Sequence, residues 1–151
     1  MFESTLIILL LIAASAFFAT SEIALAAARK LKLEQLADDG DARARLALAL
    51  QAQPGHFFTT IQIGLNAVAI LAGILGEGAY APYFTTLLAP YFTSPETAET
   101  LATVFSFLLV TSVFILFADL VPKRIAIVAP ERIALRIAGP MTLSIRLLSP
   151  L

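Results

Sequence analysis

The chain has 151 residues, of which 59% are hydrophobic and 14% charged, with 10 Lys+Arg against 11 Asp+Glu, one His and no Cys. Soluble domains run at about 45–50% apolar and about 25% charged, so this composition excludes a disordered chain, a nucleic-acid binder and a water-soluble globule. The missing cysteines exclude disulfides and thiolate metal sites, which leaves one membrane-embedded domain.

From Ser4 to Ala28 the only charged residue is Glu22. At about 1.5 Å per residue this stretch covers roughly 37 Å, enough to cross a hydrocarbon core of about 30 Å. Ala14-Ser15-Ala16 imitates a signal-peptide cleavage site, but Glu3 stands where a leader carries Lys or Arg. A spanning helix over 4–28 is therefore expected.

Arg29 to Gln53 is mixed in charge. Leu31, Leu33, Leu36, Leu46, Leu48 and Leu50 are interrupted by Asp38-Asp39-Gly40-Asp41. Two short helices over 31–53, turning at Gly40 with an Asp capping the second, are expected. A second span follows over 57–76, free of charge. Residues 78–95 are also uncharged but contain Pro82, Pro90 and Pro95. Because mid-helix proline costs about 3 kcal/mol, the reading here is a broken, re-entrant or interfacial segment, with a fourth kinked span as the alternative. The third span covers 101–120, and Arg132, Arg136 and Arg146 among Ile133, Leu135, Ile137 and Leu143 mark an interfacial helix over 131–149 bent at Pro140. The fold class expected is thus an all-α membrane protein of three spans, with amphipathic juxtamembrane helices forming a collar.

All ten basic residues fall between spans one and two or after span three. The positive-inside rule then places the N-terminus outside and the C-terminus in the cytoplasm of a multi-pass protein of the inner (plasma) membrane. An odd number of spans fits this arrangement.

Polar groups inside a bilayer are costly and need a reason. Span one holds Thr20, Ser21 and Glu22; span two Thr59, Thr60, Gln62, Gly64 and Asn66; span three Thr111, Ser112 and Asp119, followed by Pro122. In span two, Thr59, Gln62, Asn66, Ala69, Gly73 and Gly76 form one stripe at steps of three and four. Ser21, Asn66 and Asp119 reach comparable depths in the half of the membrane nearer the basic residues, so the three spans can bring them together. Pro122 has no N–H for the carbonyl of Ala118, and Gly64 permits close backbone approach. Hydroxyl, amide, carbonyl and carboxylate make an all-oxygen set, suited to Mg²⁺, Ca²⁺ or Na⁺. Each residue also has a structural reading. The Thr hydroxyls bond back to the i−4 carbonyl, Asn66 joins helices, Glu22 pairs with Arg29, and Asp119 pairs with Lys123 at i+4. His56 beside Phe57 reads as interfacial.

At these residues the chain resembles the transmembrane domain of the CorC/cyclin M family of magnesium transporters. Phe17-Phe18-Ala19-Thr20-Ser21-Glu22-Ile23-Ala24 is similar to the family's first-helix motif. Leu33-Glu34-Gln35-Leu36-Ala37 with the turn after it resembles its cytoplasmic hairpin. Thr60-Ile61-Gln62-Ile63-Gly64-Leu65-Asn66 and Phe117-Ala118-Asp119-Leu120-Val121-Pro122-Lys123 resemble its second- and third-helix motifs, with Leu65 where the family has Asn and Ala118-Asp119 where it has Gly-Glu. The resemblance implies Mg²⁺ transport, as export coupled to Na⁺ entry, with Ser21 and Asn66 as side-chain ligands. Ala118 and Gly64 would contribute carbonyls, Asp119 charge, Glu22 a second acidic or gating group, and Pro122 a hinge. It also implies a homodimer in membrane lipid and a cytoplasmic CBS-pair domain, which would follow this chain. The rival expectation is a membrane anchor and ion sensor that transports nothing. An enzyme is not expected: an intramembrane protease needs a Ser–His pair or two Asp within the bilayer, and His56 is interfacial.

Overall fold

A computed structural model describes residues 2–148; the last residue of the expected collar helix, Ser149, and the closing Pro150-Leu151 lie outside them. The protein is an all-α membrane protein, and among the described residues there is no strand. In chain order the helices are α1 (Phe2–Ala27), α2 (Lys30–Asp38), α3 (Ala42–Ala52), α4 (Pro54–Leu88), α5 (Pro95–Phe114), α6 (Val121–Val128) and α7 (Pro130–Leu148). A 3₁₀ turn, Ala89–Tyr91, follows α4, and a π-helical turn, Ile115–Leu120, joins α5 to α6. Three helical runs, Phe2–Ala27, Pro54–Tyr91 and Pro95–Val128, are long and apolar enough to cross a membrane, and they cover the three expected spans save Ala28 at the end of the first.

One expectation fails. Residues 78–88 do not re-enter or lie along the interface, and they do not make a fourth span; they continue α4, with Pro82 inside the helix. The proline withholds its N–H from Gly78, a residue with no side chain to crowd the loosened turn. Further on, Thr85 and Thr86 donate their hydroxyls to the Ala81 and Pro82 carbonyls at 2.9 and 3.0 Å. Packing outweighs the local penalty: α4 and α5 form the most extensive helix–helix contact in the protein, sealed by the Phe84–Phe105 edge contact at 4.9 Å. Tyr80 bonds Thr5 near the start of α1 at 3.0 Å, so the eight residues from there to Leu88 carry the α4–α5 hairpin roughly 12 Å beyond that level.

Small residues set the helix spacing, as expected where lipid removes any hydrophobic drive between helices. Ala19, Ala102, Ala118 and Ala126 are fully buried. A Cβ on Gly64 would come within 2.6 Å of the Phe18 ring, and one on Gly76 would strike Val110; these two glycines fix the α1–α4 and α4–α5 approaches.

The basic end is the better packed. Leu25, Leu33, Phe57, Ile61 and Met141 form one buried cluster beneath the collar, each large side chain contributing about 1.5–3 kcal/mol by removal from water. The α2–α3 turn is as the sequence reads. Gly40 takes φ +95°, and Asp41 caps α3 by accepting from the Arg43 N–H at 2.9 Å. The last turn of α1 has no basic residue; instead the Gln51 amide donates to the Leu25 and Ala28 carbonyls, both at 3.0 Å, satisfying oxygens that a helix end leaves open.

Candidate cation site

Glu22 on α1 and Asp119 in the π-helical turn meet at one cation. Lys123, on the first turn of α6, places Nζ 2.8 Å from Asp119 Oδ1 and 3.3 Å from Glu22 Oε2. The three side chains are 23–38% exposed, so the triad is neither sealed nor at a free surface. The i+4 pairing of Asp119 with Lys123 is present as expected. The expected Glu22–Arg29 pair is not: Glu22 turns to Lys123, and Arg29 is held by Glu131.

The turn that carries Asp119 has a local cause. In it the Val121 N–H reaches back five residues to the Leu116 carbonyl, and Pro122 next offers no donor at all. In that five-residue register the carbonyl that Pro122 would have bonded is Phe117's, one residue before the Ala118 that the sequence reading takes. Ala118 and Pro122 are both buried, facing α1, which packs on the π turn and on α6. A π turn flanked by proline is a point where a helix bends and its carbonyls splay.

Ser21 is fully buried beside Glu22 in sequence, and its hydroxyl donates to the Phe17 carbonyl at 2.6 Å. Its proton is spent; its lone pairs are not. Gly64 is buried under Phe18, so its role within this chain is packing. Asn66 is the residue the chain's own fold does not bring in. Two positions beyond Gly64 it lies about 200° around α4, on an exposed face. Thr59, Gln62 and Ala69 of the same stripe are exposed with it. These first four positions of the stripe point away from α1, while Gly76 at its far end is buried against Val110. Ser112, which shares a helix face with Asp119 by spacing, is exposed as well.

Sequence reasoning did not find the Arg29–Glu131 link. Glu131 Oε1 accepts from both Arg29 Nε, at 2.9 Å, and the Arg29 backbone N–H, at 3.2 Å. The guanidinium holds the Glu131 carboxyl down at about 2 against a partial burial penalty. One signal was available: Glu131 is the only acid in α7. Among the described residues no three His, Cys, Asp or Glu side chains converge as a metal cluster.

Three apolar spans, an amphipathic collar and an ion triad at the first–third span contact define a multi-pass α-helical membrane domain. Residues 6–151 match the model of the cyclin M transmembrane N-terminal domain, and the chain belongs to that family. It is 55% identical over all 151 residues to the "Polyamine export protein" of Escherichia coli K12, of which it covers 34%. It is 48% identical over 151 residues to the protein of the same name from Haemophilus influenzae, covering 35% of it. A UPF0053 protein of Synechocystis is 37% identical over 150 residues, with 95% of this chain and 32% of that protein covered. The chain thus spans about a third of the length of these relatives.

Proposed function

We propose that this domain exports small cations and that its cargo is an aliphatic polyamine. The observation that carries the reading is the seat of Lys123. An alkylammonium sits between two carboxylates at 2.8 and 3.3 Å, which is the contact a primary amine at the end of a diamine would make. The 2.8 Å contact has the length of a strong charge-assisted N–H···O bond, and the 3.3 Å contact is a longer ion pair. The polyamine-export names of relatives 55% and 48% identical support the same cargo. In this reading the incoming ammonium displaces Lys123, Glu22 and Asp119 take it up, and the π turn before Pro122 yields to let access alternate. The basic residues orient the domain with its N-terminus outside and its C-terminus in the cytoplasm of the plasma membrane.

The outward stripe of α4 supports a homodimer. Gln62 and Asn66 are too polar to face acyl chains at no cost, and a second copy would give their amides hydrogen-bond partners. Relatives about three times as long as the chain leave room for the cytoplasmic CBS-pair domain that the family resemblance implies.

A second reading, Mg²⁺ export coupled to Na⁺, has one observation in its favour. Ser21 Oγ, with its proton committed to Phe17, faces any cation as a pure acceptor, and a free π-turn carbonyl, Asp119 and Asn66 from a rearranged or partner helix extend an oxygen set of the kind Mg²⁺ takes. Flux from vesicles loaded with labelled 1,4-diaminobutane or with Mg²⁺ separates the readings. Diamine efflux that falls with Glu22→Gln or Asp119→Asn is expected. Mg²⁺ flux without diamine flux supports the second reading, and flux of neither leaves the anchor and sensor role.

A further inference from the structure

We propose that the cleft bounded by α2, α3, the end of α6 and α7 seats the headgroup phosphate of an anionic phospholipid. The proposal rests on where the basic end of the domain meets the membrane, not on which cargo crosses. This open cleft has a volume of about 690 Å³. Arg29, Lys32, Arg43, Arg132 and Arg136 line it against a single acid, Glu131.

The ion pairs show how much of that charge is already spent. Glu131 is taken by Arg29, and Arg43 is held by the neighbouring Asp41 through two contacts at 3.2 Å. Lys32, Arg132 and Arg136 have no ion-pair or hydrogen-bond partner among the described residues. Three cations with open donors, from two different helices, therefore face one concavity. Guanidinium forks match the oxygens of a phosphate.

The surroundings identify the phosphate as a lipid's. Arg29 lies two residues past the end of α1, and Val128, which ends the third spanning run, lies in the same lining and is 85% exposed. The cleft thus opens where hydrocarbon gives way to headgroup. Its non-polar wall, Val128, Leu36 and Leu135, offers acyl chains or glycerol a surface that a free phosphate would leave wet. Basic pockets at this level bind anionic headgroups, each Lys or Arg near the surface contributing about 1 kcal/mol.

The test uses the whole protein in mixed micelles doped with phosphatidylglycerol or phosphatidylcholine, with retained lipid counted by native mass spectrometry. Wild-type protein is expected to retain phosphatidylglycerol and not phosphatidylcholine. Arg132→Gln with Arg136→Gln should weaken that retention about 30-fold, roughly fivefold per charge, and Arg132→Lys with Arg136→Lys should restore most of it. Arg124→Gln and Arg146→Gln, which remove charge outside the cleft, should change it less than about twofold. Equal losses from the control pair would reduce the site to a diffuse collar and overturn the proposal. So would millimolar inorganic phosphate that displaces the lipid, or indifference of the wild type to the two headgroups, a comparison that holds even if the double variant fails to fold.

Discussion

Replacing Lys123 by Gln tests the ion triad directly. Because one nitrogen lies 2.8 Å from Asp119 Oδ1 and 3.3 Å from Glu22 Oε2, the two carboxylate oxygens stand at most about 6 Å apart by geometry alone. Without the ammonium their repulsion at that separation is about 1–3 kcal/mol for an effective dielectric of roughly 20–40. The lost charge-assisted bonds add about 1–2 kcal/mol, taken low because the side chains are about a quarter to a third exposed. Local opening of α6 against α1 should therefore become easier by about 2–5 kcal/mol, which at about 1.4 kcal/mol per decade is roughly 30- to 4000-fold faster amide exchange. Hydrogen–deuterium exchange read by mass spectrometry over residues 115–128 measures it. Millimolar 1,4-diaminobutane should slow exchange again in Lys123→Gln and do much less in wild type, whose own ammonium already fills the seat. If the variant exchanges like wild type, or if Mg²⁺ restores protection where the diamine does not, the ammonium-seat reasoning is wrong.

Three more expectations follow from packing and charge. Gly76→Ala drives a Cβ into the stiff Val110 side chain and should cost about 1–3 kcal/mol, with Val110→Ala recovering much of it in a double-mutant cycle of thermal unfolding. Glu131, its carboxyl depressed to about 2 by Arg29, should hold α1 to α7 above its ordinary value near 4.5 and lose that hold as pH falls toward 2. Amide exchange in α7, corrected for intrinsic rates, should be protected at pH 4 but not below pH 2.5, and Glu131→Gln should reproduce the loss at neutral pH. Leu at both Gln62 and Asn66 should weaken self-association by about 1–2 kcal/mol, read by sedimentation in detergent; a monomer–dimer balance that does not move would remove α4 from the interface.

The spans were legible because long uncharged runs have few other uses. The collar was legible because its leucines and arginines follow a helical period and Gly40 marks its turn. Two features were not. Pro82 argued for a break, but a local penalty of a few kcal/mol was outweighed by the long seam between α4 and α5. Asn66 and its stripe had a clear periodicity with no stated direction: helical spacing says which residues share a face, yet in a bilayer both the bundle interior and the lipid are apolar, so nothing in the pattern says which face turns inward. The acids were legible as costly residues. Their common partner depends on how α1 docks against α6, which sequence separation hides.

With the proposed ammonium cargo, the tethered ammonium of Lys123 would also set a threshold. A cation entering the seat competes with a ligand on the same chain, whose effective concentration at short tether is on the order of millimolar or above. Cargo at trace levels would leave the seat to the lysine, and only an excess would take it. Under that proposal the domain would respond to surplus and ignore scarcity.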